Sequence, residues 1–176
     1  QKLYNLQKIM LERRNEIMPY VEGEFHSLGG AAVSFEHAVI EMPFVFWQYG
    51  NPSSATSGCN AVPNETATAK KLFDFLEIAN SIDGYNDEGV AGFQPYYYQV
   101  GMQLGAPGAK LDHIAGLRHH DYDINQYMPS GINAQYNVTA MNEIKTWSER
   151  NAKSVMFIYG EYDPWTAGTL SIGMNP

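Results

Sequence analysis

An aspartate that follows a short apolar run is the residue of this sequence best placed to do chemistry. Residues 155–159 read Val-Met-Phe-Ile-Tyr, a glycine follows at once, and Asp163 stands before a proline. A run of this length that ends at Gly and Pro predicts a strand, and its lack of alternation predicts burial on both faces, as in a parallel sheet. Because sites gather at the carboxyl ends of such strands, Asp163 could orient a catalytic histidine and stabilise its charge. An ordinary Asp-Pro turn explains the same residues equally well.

The two other members of a Ser-Asp-His triad are missing around this aspartate. Hydrolases whose nucleophile lies in a G-x-S-x-G turn carry Ser, Asp and His in that chain order. No serine here has glycines at that spacing, and all five histidines precede Asp163. If Asp163 is the acid of a triad, we expect its serine before Gln1 and its histidine after Pro176. The sequence then supplies one catalytic member of three, and we expect this chain alone to be inactive.

The composition of the chain excludes several classes of protein and of binding partner. Hydrophobic residues make up 44% and charged residues 17% of the 176 residues, which excludes a disordered chain. The net charge of −8 argues against nucleic acid and anionic membrane surfaces as partners. No apolar run approaches the roughly 18 residues of a membrane span, and Cys59 is the only cysteine, so no internal disulfide is expected. The 13% of aromatic residues exceeds what a core needs and indicates an aromatic-lined surface or pocket.

Helices must position these residues, because apolar side chains recur at helical spacing over most of the chain. We expect Ser34 and Asn64 to cap the second and third helices, and Pro43 to kink the second. One predicted strand cannot make a sheet, so its partners lie in the predicted loops or outside this sequence. The predicted helices cover residues 2–18, 34–49, 64–81, 95–104, 111–117 and, from Asn137 or Thr139, a segment to about 151.

Two glutamates interrupt the otherwise apolar second helix. Glu36 lies close to the helix start, where a carboxylate complements the helix dipole. Glu41 lies in mid-helix, two residues before Pro43, and a half-buried carboxylate there needs a cation as its partner. A solvated helix face is the alternative interpretation of Glu41.

Clusters of His, Asp and Glu occur in two loops, but neither has the spacing of a metal site. Adjacent loop residues rarely converge on one ion, no HExxH pattern is present, and the acidic loop does not follow the alternation of a calcium loop. We therefore expect neither a metal nor a cofactor. The residues concerned are His119, His120, Asp121 and Asp123 in one loop, and Asp83, Asn86, Asp87 and Glu88 in the other.

Three separated segments resemble one family of peptidases. Residues 36–50 (EHAVIEMPFVFWQYG), 93–107 (FQPYYYQVGMQLGAP) and 157–167 (FIYGEYDPWTA) occur in its order and spread over most of the chain. The sequence thus resembles peptidase family S37, the PS-10 type of secreted bacterial prolyl tri/tetrapeptidyl aminopeptidase. That family is related to the prolyl carboxypeptidases.

The resemblance implies a mostly α-helical cap joined to a fragment of an α/β-hydrolase core. Residues 1–136 would form most of the cap (lid), and residues 137–176 a late helix, a strand and the acid loop, with Asp163 as catalytic aspartate. It implies a serine exopeptidase that releases tri- or tetrapeptides, in the narrower case after proline, from free amino termini. It also implies a secreted or periplasmic bacterial location, and the remaining segments of the parent hydrolase as partners.

The resemblance assigns the substrate side of the site to the cap. The cap would hold the free amino end of a peptide with carboxylates, for which Glu36 and Glu41 are the candidates, between apolar walls. The candidate wall residues are Trp47, Tyr96, Tyr97 and Tyr98. Two other functions fit the residues: a non-catalytic, aromatic-rich helical module that binds peptides or glycans, and an esterase-type α/β-hydrolase.

Overall fold

Helices make up most of the part of the chain that the computed structural model describes, which is residues 1–51, 53–106, 108–133, 135–161, 163, 165 and 168–170. The α-helices are α1 (Lys2–Glu12), α2 (Arg14–Ile17), α3 (Ala31–Tyr49), α4 (Ala69–Ala79), α5 (Asp87–Gly92), α6 (Gln94–Gln99) and α7 (Thr139–Asn151). Short 3-10 helices span Met18–Tyr20, Ile82–Tyr85, Asp112–Ile114 and Ile124–Tyr127, and a π-helical turn spans Val100–Leu104. The described residues include no strand, and no helix among them is long and apolar enough to cross a bilayer.

The chain divides into two compact units, which are described separately. The first unit contains residues 1–93 and 109–123, and the second contains residues 94–108 and 124–176. The helices α1 to α5 belong to the first unit, and α6 and α7 belong to the second.

The first unit buries apolar side chains of α1, α3 and α4 in a common core. On α1 and α4 the buried positions recur every three or four residues, which is the spacing of one side of a helix, whereas α3 buries every residue from 34 to 40. The side chains that α1, α3 and α4 bury include Leu6, Met10, Phe35, Val39, Met42, Phe46, Leu72, Phe75 and Leu76. The helical spacing of these residues therefore confirms the predicted helices, although not their starting points.

Both predicted N-caps are wrong. Helix α3 begins at Ala31, after Gly30, so Ser34 is buried inside the helix, where its hydroxyl donates to the Tyr85 carbonyl at 3.1 Å. Helix α4 begins after Thr68, whose hydroxyl accepts from the Lys71 N–H. Asn64 instead accepts from its neighbour Thr66 in a local turn. The bonds of Asn64 are short-range and compete with capping, whereas the partner of Ser34 lies 51 residues away, so composition alone places neither cap correctly.

Pro43 lies inside α3, and side-chain amides from other helices bond to the carbonyls just before it. Proline has no N–H, so it cannot donate to the Val39 carbonyl one turn earlier. The Gln7 amide on α1 donates to the carbonyls of Val39 and Ile40 at 2.9 Å each. The Asn80 amide, which follows α4, donates to the Ala38 carbonyl at 2.8 Å. The helix therefore continues through its proline with its backbone tied to both neighbouring helices.

The second unit forms around Tyr127. This side chain is buried, and its ring packs against the ring of Tyr97 at a centroid distance of 4.8 Å. The Asn137 N–H donates to the Met102 carbonyl at 2.8 Å, which ties the approach to α7 to the π-helical turn. The predicted helix over 95–104 is confirmed as α6 and that turn, and Gly105 ends it with a φ of +72°.

The predicted strand over residues 155–159 is wrong for this chain. These residues have no regular secondary structure, and the side chains of Met156 and Ile158 are 80% and 83% exposed. A strand needs a hydrogen-bonded neighbour, and the described part of the chain supplies none. The helix before it is confirmed as α7, which carries Ile144 and Trp147 exposed on its surface.

Candidate active site

A carboxylate held by two tyrosines lies in the middle of α3. Glu41 is half-buried, two residues before Pro43. The Tyr85 hydroxyl donates to its Oε2 at 2.8 Å, and the Tyr122 hydroxyl donates to its Oε1 at 2.7 Å. Both phenols approach from segments distant in sequence. Two donors fit an ionised carboxylate, which accepts hydrogen bonds and donates none.

Tyr85 is the more deeply buried of the two phenols. Its hydroxyl oxygen also accepts from the Asn80 amide at 2.8 Å. Burial, and after it the charge of Glu41, raises the pKa of Tyr85 well above its usual 10. The phenol therefore keeps its proton at any working pH and continues to donate.

Glu36 is the second acid of α3, and its partners all come from within the first unit. Its side chain is fully buried, Arg14 Nη1 lies 3.0 Å from its Oε2, and the backbone N–H groups of His119 and His120 donate to it at 3.0–3.1 Å. Burial opposes its ionisation, but the two backbone donors and then Arg14 outweigh burial, so the pKa of Glu36 lies below its usual 4.5. Arg14 also donates to the Leu117 carbonyl.

These bonds fix residues 117–122, which we name the 117–122 segment, against α3. Besides Glu36, the buried His37 holds this segment, with its Nε2 3.3 Å from the Asp121 carbonyl oxygen. The His37 ring also meets the Tyr122 ring edge-on at 5.1 Å. Burial lowers the pKa of His37, so the ring is neutral at neutral pH. The segment ends at Tyr122, and it therefore delivers that hydroxyl to Glu41.

Of the two acids, Glu41 is the one that offers surface to a ligand. Glu36 has no exposed side-chain area, whereas Glu41 is only half-buried. A carboxylate can accept about four hydrogen bonds, and a phenol that donates to it brings no positive charge. Such a group suits a cationic ligand, because a partly buried ammonium needs a paired anion.

The predicted aromatic wall residues lie in both units. Trp47, in the first unit, is 44% exposed and meets the Phe46 ring edge-on at 5.5 Å. In the second unit, Tyr96 and Tyr98 are exposed on α6, while Tyr97 packs on Tyr127. The rings of Tyr96 and Tyr97 lie 5.5 Å apart.

Asp163 lies in the second unit in a local turn and is exposed. Its Oδ1 accepts the Trp165 N–H at 2.8 Å, and its own N–H donates to the Gly160 carbonyl at 3.2 Å. The turn that the sequence allowed is therefore present. A side chain held in this way has a defined direction, which a catalytic acid also requires.

The two loops rich in acids and histidines use those groups to hold the backbone. In the first, Asp87 accepts the Ser27 N–H at 2.6 Å and lies 2.8 Å from His26 Nδ1. In the second, His119 and His120 serve Glu36 through their backbone N–H groups. No three His, Cys, Asp or Glu side chains are grouped as metal ligands among the residues that the structure describes.

Comparison with known proteins places the whole chain in one family. Residues 5–175 match the family model described as PS-10 peptidase S37. The chain belongs to the S37 peptidase family. It is 33% identical over 182 residues to the prolyl tri/tetrapeptidyl aminopeptidase of Streptomyces mobaraensis, in an alignment that covers 98% of this chain and 37% of that protein. The S37 chain thus spans 37% of the length of that curated relative, and no solved structure matches it significantly. The resemblance seen in the sequence is confirmed.

Sequence reasoning missed the residues that hold the two acids of this S37 chain. Tyr85 and Tyr122 are 44 and 81 residues from Glu41, and Arg14 is 22 residues from Glu36. Periodicity reports which side of a helix is buried, but not which distant loop covers it. Two general rules together indicate a hydrogen bond between a tyrosine and Glu41. A buried tyrosine hydroxyl normally finds a partner, and a mid-helix glutamate on an apolar face needs donors.

Proposed function

We propose that this chain is part of a serine exopeptidase that releases tri- or tetrapeptides from free amino termini. The observation that carries the proposal is the S37 family match over residues 5–175, together with a relative whose name states that activity. Cleavage after proline is the narrower form of the proposal. A secreted or periplasmic location follows from the same likeness.

The proposed division is a helical cap over residues 1–136 and part of an α/β-hydrolase core over residues 137–176. Two features support it. Residues 155–159 are apolar and β-prone, and all but Phe157 are exposed, as a strand is when its neighbours in a sheet are not present. Helix α7, just before them, carries Ile144 and Trp147 on its surface, as a helix that covers a sheet does.

In the proposed reaction, a serine outside residues 1–176 attacks the peptide carbonyl, and a histidine, also outside them, takes the serine proton and returns it to the leaving amine. Asp163 holds the histidine tautomer and stabilises the imidazolium. The turn bonds from Trp165 and to Gly160 support this role, because they give the carboxylate a fixed direction. The chain contributes no other member of the triad.

Glu41 is proposed to bind the ammonium group of the substrate. Its support is the arrangement of the first unit: a half-buried carboxylate whose two oxygens are each held by a phenol. Glu36 is proposed to act on the same site by holding the 117–122 segment, which brings Tyr122 to Glu41. The side chains of Trp47, Tyr96, Tyr97 and Tyr98 are proposed as apolar walls for the peptide.

The experiment that tests this function uses the full-length protein and synthetic peptides of six to eight residues with free amino termini. Mass spectrometry of the products should show release of an amino-terminal tri- or tetrapeptide. Asp163→Asn should reduce turnover by about 10⁴, and the matched control Glu161→Gln, in the same loop, should not change it. Internal cleavage, or binding of peptides without any cleavage, would overturn the proposal.

A further inference from the structure

The side-chain amide of Asn80 lies between the backbone of α3 and the ring of Tyr85. Its Nδ2 donates to the Ala38 carbonyl and to the Tyr85 hydroxyl oxygen, at 2.8 Å in both cases, and both side chains are buried. An amide nitrogen carries two N–H groups and accepts no hydrogen bond. The Ala38 carbonyl fixes which amide atom is the nitrogen, because an amide oxygen in that place would face another acceptor.

This geometry sets the direction of the Tyr85 hydroxyl. The phenol oxygen accepts from Asn80, so its single proton must point to a different atom. Glu41 Oε2 lies 2.8 Å away and can only accept. Three groups therefore form one directed chain of hydrogen bonds, from Asn80 to Tyr85 to Glu41.

We propose that Asn80 is a positioning residue for the carboxylate that binds the substrate amine, because it holds the Tyr85 hydroxyl in the orientation that donates to Glu41. This inference rests on the proposed function of Glu41 and deepens it. With its other oxygen held by Tyr122, the carboxylate has one orientation before a peptide arrives. A preorganised anion binds a cation more tightly, because less conformational freedom is lost on binding.

The place of Asn80 in the fold supports a role in positioning. The same amide that orients Tyr85 also bonds to α3 at Ala38, five residues before Pro43, so the helix that carries Glu41 and the phenol that holds it share one anchor. Ser34 adds a second tie, because its hydroxyl donates to the Tyr85 carbonyl. Movement of the phenol relative to the carboxylate is restricted at both ends of the tyrosine.

The test measures KM and kcat of the full-length enzyme on a tripeptide p-nitroanilide with a free amino terminus. Asn80→Asp keeps the side-chain shape but replaces the donor with an acceptor that draws the Tyr85 proton away from Glu41. We expect KM to rise about tenfold, the effect of losing one hydrogen bond to a charged group, while kcat stays within about twofold. Asn80→Ala offers no acceptor to Tyr85, so it should raise KM less than Asn80→Asp.

Labelling of the catalytic serine with a small fluorophosphonate separates positioning from loss of structure, because that probe has no amine to anchor. The fraction labelled should stay at the wild-type level in both Asn80 variants. A labelled fraction that falls in step with kcat at unchanged KM would overturn the inference in favour of a structural role.

Tyr85→Phe keeps the test decisive even if Asn80→Asp does not fold. It removes the hydroxyl, leaves the Asn80 bond to Ala38 in place, and should raise KM about tenfold by itself. In the Tyr85→Phe background, Asn80→Ala should then add nothing to KM, and an added effect equal to that in the wild type would overturn the inference. Glu41→Gln tests the proposed function of Glu41 separately: if its KM equals that of the Glu22→Gln control, Glu41 does not bind the substrate amine. If Glu41→Gln raises KM but Tyr85→Phe does not, only the positioning role of Asn80 is refuted.

Discussion

Glu36→Gln should release the 117–122 segment, and the contacts of Glu36 set the free-energy cost of this substitution. The substitution removes the charge that faces Arg14, whose side chain is 14% exposed, and breaking a buried ion pair costs about 3–5 kcal/mol. Arg14 keeps the Leu11 and Leu117 carbonyls as acceptors, so we expect the lower end, about 3 kcal/mol. At 1.4 kcal/mol for each factor of ten, the segment should open about a hundredfold more often.

Hydrogen exchange followed by mass spectrometry measures this opening directly, because the His119 and His120 amides donate to Glu36. Exchange of a peptide over 117–122 should accelerate about a hundredfold in Glu36→Gln. The matched control is Glu16→Gln, which removes the same charge from an exposed pair with Arg13 and should leave this peptide unchanged. Equal exchange in the wild type and in Glu36→Gln would refute the assignment of Glu36 as the anchor of the segment.

The same peptide should show a pH dependence. The pKa of folded Glu36 lies below the usual 4.5, because its backbone donors and Arg14 outweigh burial. The stabilisation by the Glu36 carboxylate is thus complete above about pH 4.5 and is lost as the pH falls through the lower, folded pKa. Protection of the 117–122 peptide against hydrogen exchange should therefore fall in acid in the wild type. Glu36→Gln should lack this part of the pH dependence. Tyr122→Phe should raise KM for free-amino substrates several-fold, while hydrogen exchange of the 117–122 segment stays as slow as in the wild type. Faster exchange of that segment would show that the substitution acts on folding instead. Gln7→Leu should lower the stability by about 1–3 kcal/mol, because the Val39 carbonyl lacks a proline N–H and loses its amide partner, and an unchanged thermal midpoint would contradict that role.

The sequence predicted α1 and α4 well because each buries one face. The spacing of Leu6 and Met10, or of Leu72 and Leu76, requires only local geometry, and these residues are buried as expected. The same reasoning failed at the starts of α3 and α4, where Ser34 and Asn64 found partners other than their own helix ends. Capping depends on competition between bonds, and composition does not resolve it.

The predicted strand is wrong, and the partners of Glu41 were not predicted, because both depend on segments distant in sequence. Residues 155–159 have the composition of a buried strand, but strand structure belongs to a pair of segments and this chain supplies no described partner. The sequence identified Glu41 as a carboxylate in the middle of an apolar helix, and the partner expected for it was a cation. The structure shows that the phenols of residues 85 and 122 donate to it, which no local pattern around Glu41 indicates.

The most direct test of the account compares free and acetylated amino termini. The ratio of kcat/KM for a free-amino peptide to that for its N-acetylated twin should be measured in the full-length wild type, in Glu41→Gln and in the control Glu22→Gln. We predict that Glu41→Gln lowers this ratio by thirtyfold or more, since removing one partner of a desolvated charge pair costs about 2 kcal/mol or more, while Glu22→Gln leaves it unchanged. An equal ratio in all three proteins would contradict the assignment of Glu41 as the group that binds the substrate amine.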